Sequence, residues 1–327
     1  HKHDEEMPVR DVVLRVACLV LVALLGACTG SGVQDNPTAQ PGTAARDGSE
    51  ITVGSFDFPE SVLLAHIYAS ALAAEGFPVR VLPDLGSREL VEPALMNDLI
   101  QLVPEYTGSA SDFLSLGRLP SSSDAEATYQ ALARSAQRRG LVAAQPAPAQ
   151  DANAVVVTAA TAARYHLRSI DDLVDVAPEL VFGGPPECPK RPQCLPGLER
   201  TYGLHFKAFA PTDAGGPLTR QALISGQIGV GLLFTTDPSI AARGLVILTD
   251  NRALQPAENV TPLVHRETVA RYGRRLIAAL DAVSARLSTR TLRDLNAHVQ
   301  LGGMTPRSVA RDWLRSESLI PNGQVPR

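Results

Sequence analysis

The sequence predicts an α/β fold on three observations. The first is its opening unit, in which the apolar strand Ile51-Thr52-Val53-Gly54, an amphipathic helix and a second strand from Pro78 to Leu82 follow one another in the alternation of a parallel sheet. The second is the recurrence of short apolar runs, at 154–157, 180–182, 228–234, 245–248 and 260–264, between helical stretches. The third is the segment Leu99 to Val103, a short apolar strand that stops abruptly at Pro104-Glu105-Tyr106-Thr107-Gly108-Ser109. Such an ending places an aromatic face and several hydrogen-bonding groups at a sheet's carboxyl edge, where α/β proteins hold their ligands.

In chain order, Asp57 and Glu60 have capping-box spacing at the head of the first helix. That helix carries Leu64, Ile67, Tyr68, Ala71 and Leu72 on one face, and Gly76 stops it. Gly86-Ser87 reads as a turn and helix cap. Pro93 then interrupts the helical pattern, which predicts two short turns or a kinked helix. A helix over 124–140 precedes a Pro- and Ala-rich boundary loop at 145–150, and the β-branched strand Ala154–Val157 begins the second half. The strand over 228–234 ends at Thr235-Thr236-Asp237, where Asp237 reads equally as a helix cap. The C-terminal part is helical over 267–287, 289–299 and 306–316, the last with Thr305 as cap and Pro306 at the first position.

The chain has 327 residues, 45% of them hydrophobic and 20% charged, with a net charge of -4. That length suits two ordinary domains or one large one. The mild acidity without a basic block gives no footprint for nucleic acid. Near the N-terminus, Arg10 and Arg15 precede the apolar run 16–25 and then Gly26-Ala27-Cys28. This is the pattern of a signal peptide over 1–27, its apolar core too short for a lasting membrane span. Leu25-Gly26-Ala27-Cys28 resembles a bacterial lipobox, which implies lipid on Cys28 and a Gly/Ser/Thr/Pro-rich tether over 28–50. The same reading leaves Cys188 and Cys194 on the oxidising side of a membrane, where a disulfide is expected. A zinc site there would need two more ligands, and no His lies near in sequence.

Several motifs carry a family likeness: Val53-Gly54-Ser55 before a helix, Leu85-Gly86-Ser87-Arg88-Glu89, Pro104-Glu105-Tyr106-Thr107-Gly108, Phe182-Gly183-Gly184-Pro185-Pro186-Glu187, Leu195-Pro196-Gly197-Leu198 and Thr235-Thr236-Asp237. Together they make the chain, from Ile51 onward, resemble the substrate-binding proteins of ABC importers for glycine betaine, choline and carnitine. The resemblance implies a two-lobed periplasmic-binding-protein fold of type II, each lobe a mixed sheet flanked by helices. The first lobe would combine 51–150 with 234–327 and the second would be 151–233, hinged by two crossover segments. It also implies an ABC permease and its ATPase as partners, a monomer held by its lipid at the extracytoplasmic face, no cofactor and no metal.

In that family aromatic side chains surround a trimethylammonium head, because aromatic faces attract a cation that cannot donate hydrogen bonds. Tyr106 matches one such position, and Phe234 replaces a tyrosine at another. Asn153 and Arg220 stand where two further tyrosines are usual, and Phe56 replaces a polar residue. Glu187 and Arg191 match a pair whose arginine grips a ligand carboxylate. Ser109 takes a hydroxyl-donating position, and Asp57 and Thr235 complete the candidate set. This lining suits a planar phenolic or anionic molecule at least as well as a cationic osmolyte. As for enzymes, Gly-x-Ser-x-Gly, a phosphate-binding Gly-rich loop, His-Glu-x-x-His and Cys-x-x-Cys are all absent from the sequence, so a binding protein without catalysis is expected.

Overall fold

The computed structural model describes residues 50–119 and 122–321. The signal segment, Cys28 and the tether up to Ser49 lie outside the described residues. The elements run β1 (Ile51–Gly54), α1 (Pro59–Ala74), β2 (Val79–Leu82), α2 (Arg88–Met96), β3 (Leu102–Tyr106), α3 (Thr107–Ser115), α4 (Ala125–Arg138) and β4 (Leu141–Ala143). The chain continues with β5 (Asn153–Thr158), α5 (Ala159–Tyr165), β6 (Val181–Gly184), α6 (Leu195–Tyr202), β7 (Ala208–Pro211), α7 (Pro217–Ile224), β8 (Val230–Phe234), α8 (Ser239–Ala242) and β9 (Leu245–Ile247). It closes with β10 (Val260–His265), α9 (Arg266–Ser284), α10 (Thr289–Gln300) and α11 (Pro306–Ser316).

The strands form two five-stranded sheets, ordered β2-β1-β3-β10-β4 and β7-β6-β8-β5-β9. The two orders are one pattern used twice. In the first, β1 lies parallel between β2 and β3, and β10 runs antiparallel to β3 and β4. In the second, β6 lies parallel between β7 and β8, and β5 runs antiparallel to β8 and β9. Each sheet has its own core, the first built on α1, α9, α10 and α11, the second on residues such as Phe182, Leu198 and Val230. Because β9 pairs with β5, the second sheet extends beyond the range 151–233 expected for that half.

Three local features differ from the sequence reading. The helix α1 starts at Pro59 with Phe58 as its N-cap and no side-chain cap bond, so Asp57 and Glu60 form no capping box. Pro93 sits inside α2, which runs through as one helix and not as two short turns; the proline removes the i→i−4 bond to the Glu89 carbonyl and crowds that carbonyl with its ring. The third strand begins at Leu102, not Leu99. Asp98, with φ of 58°, turns the chain after α2, and the Gln101 side chain accepts the Thr52 N–H at 2.9 Å in place of a strand partner. Pro104 stands within β3 directly opposite Pro262. Neither residue has an N–H to give, so the two suit a pair that exchanges no hydrogen bonds.

Candidate functional site

The chain passes from the first sheet to the second between β4 and β5 and returns between β9 and β10. The two crossovers touch at Gln150 and Asn259, and the Asp151 N–H donates to the Glu258 carbonyl at 3.0 Å. In front of this seam the carboxyl ends of the parallel strands of both sheets open on one cavity of about 640 Å³, within the roughly 300–1,000 Å³ of ordinary small-molecule pockets.

Four aromatic rings gather there. Phe58, which the sequence reading missed, is central: its ring centroid lies 5.9 Å from Phe56, 6.2 Å from Tyr106 and 5.0 Å from Phe234. The Phe56 and Phe58 planes are 8° apart and stacked. Phe56 and Phe58 follow β1, Tyr106 ends β3 and Phe234 ends β8, so the cluster joins the two halves. A glycine is needed beside it: Gly215 has φ of 65°, and a Cβ there would stand 2.6 Å from the Phe234 ring. A repeated aromatic two residues apart after a parallel strand, Phe56-x-Phe58, was the signal that could have found Phe58.

Carboxyls form the back wall. Tyr106, 5% exposed, donates its hydroxyl to Glu60 Oε1 at 2.7 Å. Glu60 also accepts from Thr236 Oγ1 and Asn296 Nδ2. Burial raises the Glu60 pKa above the usual carboxylate range against the opposing effect of these donors, and burial together with the Glu60 carboxyl pushes the Tyr106 hydroxyl well up. Asp151 and Glu258 both line the cavity. The Glu258 carboxylate accepts from Gly108 N and Ser109 N at 3.0 Å each and from Ser109 Oγ at 2.6 Å. Its pKa is pushed up to about 7, with burial the main cause. Gly108 makes this approach possible, since a Cβ there would meet Pro256 at 2.4 Å. Arg88 also lines the cavity, 5.2 Å from the Phe56 ring centroid, but its charge is answered by a fork of bonds to Glu105 at 2.6 and 2.9 Å.

The front wall comes from the second half. Cys188 and Cys194 form the expected disulfide, with Cα atoms 5.2 Å apart. The loop it closes carries Arg191, whose guanidinium reaches across to Glu89 of α2 at 2.9 Å and lies 4.0 Å from Glu187. Against the opposing effect of burial, Arg191 holds the Glu89 carboxyl below its usual range. Asn153 donates to Gln255 Oε1 at 3.1 Å.

Of the residues singled out from sequence, Phe56, Asp57, Tyr106, Ser109, Asn153, Glu187, Arg191 and Phe234 are brought together around the cavity. Arg220 and Thr235 are not in its lining. Arg220 turns to Asp237 at 2.9 Å and to the Gly215 carbonyl at 3.1 Å; Asp237 is 7% exposed and needs a cation there. Thr235 is held in the seam, donating to Asp151 at 3.0 Å and accepting from Ala152 N at 3.0 Å. Glu60, Asp151 and Glu258 were not recognised as site groups.

Residues 49–316 match the family model described as the substrate binding domain of the ABC-type glycine betaine transport system. The chain is 30% identical to a glycine-betaine-binding protein of Pseudomonas aeruginosa over 286 residues, which is 84% of this chain and 90% of that one. It is 27% identical to the glycine betaine-binding protein YehZ of Escherichia coli, over 82% of this chain and 91% of that one. A crystal structure described as a glycine betaine/carnitine/choline ABC transporter superposes with a TM-score of 0.65 at 21% identity, covering 82% of this chain and 99% of that one. The repeated sheet pattern, the cleft between the sheets and these matches agree: the chain belongs to the family of substrate-binding domains of ABC-type glycine betaine transport systems.

Proposed function

We propose that this protein captures a quaternary ammonium osmoprotectant of the glycine betaine, choline and carnitine class in the cleft and delivers it to an ABC permease and its ATPase. The observation that carries the reading is the set of four rings, Phe58 with three others about it, backed by the Asp151 and Glu258 carboxyls. Aromatic faces and carboxylates both favour a cation, and the rings accept methyl groups that offer no hydrogen bond. A carboxylate hydrogen-bonded by the Tyr106 hydroxyl adds electron density to that ring. Of the arginines on which a planar phenolic or anionic ligand would rely, Arg220 lies outside the lining, engaged with the buried Asp237.

The two halves act as lobes that close on the ligand about the crossovers, the second lobe running from residue 151 through β9. Closure requires contacts from both sides, and Phe58 and Phe234 supply them. The protein works outside the cytoplasm, held by lipid at Cys28, and performs no chemistry on what it binds. Titration calorimetry with choline, glycine betaine, carnitine and a panel of phenolic compounds tests the reading. The three quaternary ammonium compounds are expected to bind and the phenolics to give no heat; phenolics alone binding would replace it.

A further inference from the structure

The seam between the halves holds a pair of buried carboxyls with no counter-ion. Asp151, 5% exposed, forms part of the cavity wall, and Glu60, 3% exposed, lies behind it. Thr236 links them, giving its Oγ1 proton to Glu60 and its N–H to Asp151 Oδ1 at 2.9 Å. Thr235 Oγ1 adds a bond to the same Asp151 oxygen at 3.0 Å.

The charged and titratable groups on the surrounding elements are few. On β3 are Tyr106, bonded to Glu60, and Glu105, which is paired with Arg88. Glu258 lies on the second crossover, and Asp237 is paired with Arg220. On α10, Arg293 reaches the Thr235 carbonyl at 3.5 Å. Among the described residues no Arg, Lys or His hydrogen-bonds to Glu60 or Asp151. Two carboxyls in that position cannot both ionise with no cation beside them, so they keep a proton between them. Burial and mutual repulsion act in the same direction on Asp151, holding its pKa well above the usual range.

Resting on the quaternary ammonium reading above, we propose that Asp151 is the counter-ion for the ligand's cationic head and that capture releases the proton it shares with Glu60. The exchange balances in charge: one carboxyl O–H bond breaks, the proton leaves to solvent, and the cation takes its place beside the carboxylate. A cation brought within a few ångströms supplies what the pair lacks, and it does so at the crossover that joins the halves. Affinity for the cation therefore rises with pH through the range where the empty pair titrates, and levels off above it.

Calorimetry of the full chain with choline, run between pH 6 and 8 in phosphate and in Tris, reads the proton count from the difference in heat between the two buffers. The expected result is net release, up to one proton per choline, with affinity falling as the pH is lowered. Asp151→Asn should bind choline at least tenfold more weakly, with heats that no longer depend on the buffer. Equal heats in the two buffers for the unaltered protein overturn the proposal without any variant, as does Asp151→Asn binding choline with unchanged affinity. If choline, glycine betaine and carnitine all fail to bind, the ligand reading itself fails and the proposal falls with it.

Discussion

The two halves share one strand pattern and contribute unlike walls. The first sets its side chains into the core: Phe56 and Tyr106 are 3% and 5% exposed, Tyr106 is tied to Glu60, and Arg88 is forked onto Glu105. The second offers a charged loop whose Arg191 and Glu187 side chains remain 28% and 29% exposed, and a disulfide holds its shape. Topology brings the strand ends of both halves to one cavity. What each wall can do is decided by the few residues after each strand. One wall has its polar groups fixed by burial, and the other keeps its charges partly exposed.

A pH titration of stability separates the walls most sharply. The Glu258 carboxyl titrates near 7 in the native protein and near 4.5 once unfolded. Between those values the native state holds a proton that the unfolded state has lost. Its contribution is therefore fully present below about pH 4.5 and is lost as the pH rises through about 7, roughly 3 kcal/mol in all. Glu60 and Asp151 shift in the same direction. Urea unfolding at pH 5 and pH 8 should show the loss, and Glu258→Gln should shrink it; an unchanged difference in that variant would remove Glu258 from the account. Next in size is the ring cluster. Phe58 touches three rings and Phe234 one, so Phe58→Ala should weaken choline binding about 100-fold, near 2.7 kcal/mol, and Phe234→Ala about tenfold. Equal losses would deny Phe58 its central place.

How much of this was legible follows from where each partner lies in sequence. Tyr106 was readable because an apolar strand stopped beside it, and the Cys188–Cys194 disulfide because both cysteines share one short loop. Strand ends and the α/β alternation are local, and most survive in the structure. Glu60 was misread as a cap because its spacing from Asp57 looked local, whereas its bond to Tyr106 spans 46 residues. The Glu258 bonds to Ser109 span 149 residues and those of Asp151 to Thr235 span 84, and no periodicity reports contacts of that range. Arg220 was placed in the cleft by its likeness to a family position, but the side chain follows the nearest buried carboxylate, Asp237.

The second wall yields smaller effects. Replacing Cys188 and Cys194 together by Ser should cost about 2 kcal/mol by the loop-entropy model, read as a lowered urea midpoint, while choline affinity changes little if the first wall holds the cation. The smallest effect asked for is the most informative about Arg191, whose reach to Glu89 links the two halves at the cleft mouth. An exposed pair of this kind stabilises by about 1 kcal/mol or less, so Arg191→Ala should leave the unfolding midpoint nearly unmoved. Binding distinguishes its two possible partners. If Arg191 exchanges Glu89 for a ligand carboxylate, the variant should weaken glycine betaine about tenfold and leave choline, which has no carboxylate, within twofold. Glu89→Gln should then act in the opposite sense on glycine betaine, because the arginine no longer has to be drawn from its partner. Equal shifts for both ligands in both variants would instead make the pair a clasp between the halves, indifferent to the ligand's anionic end.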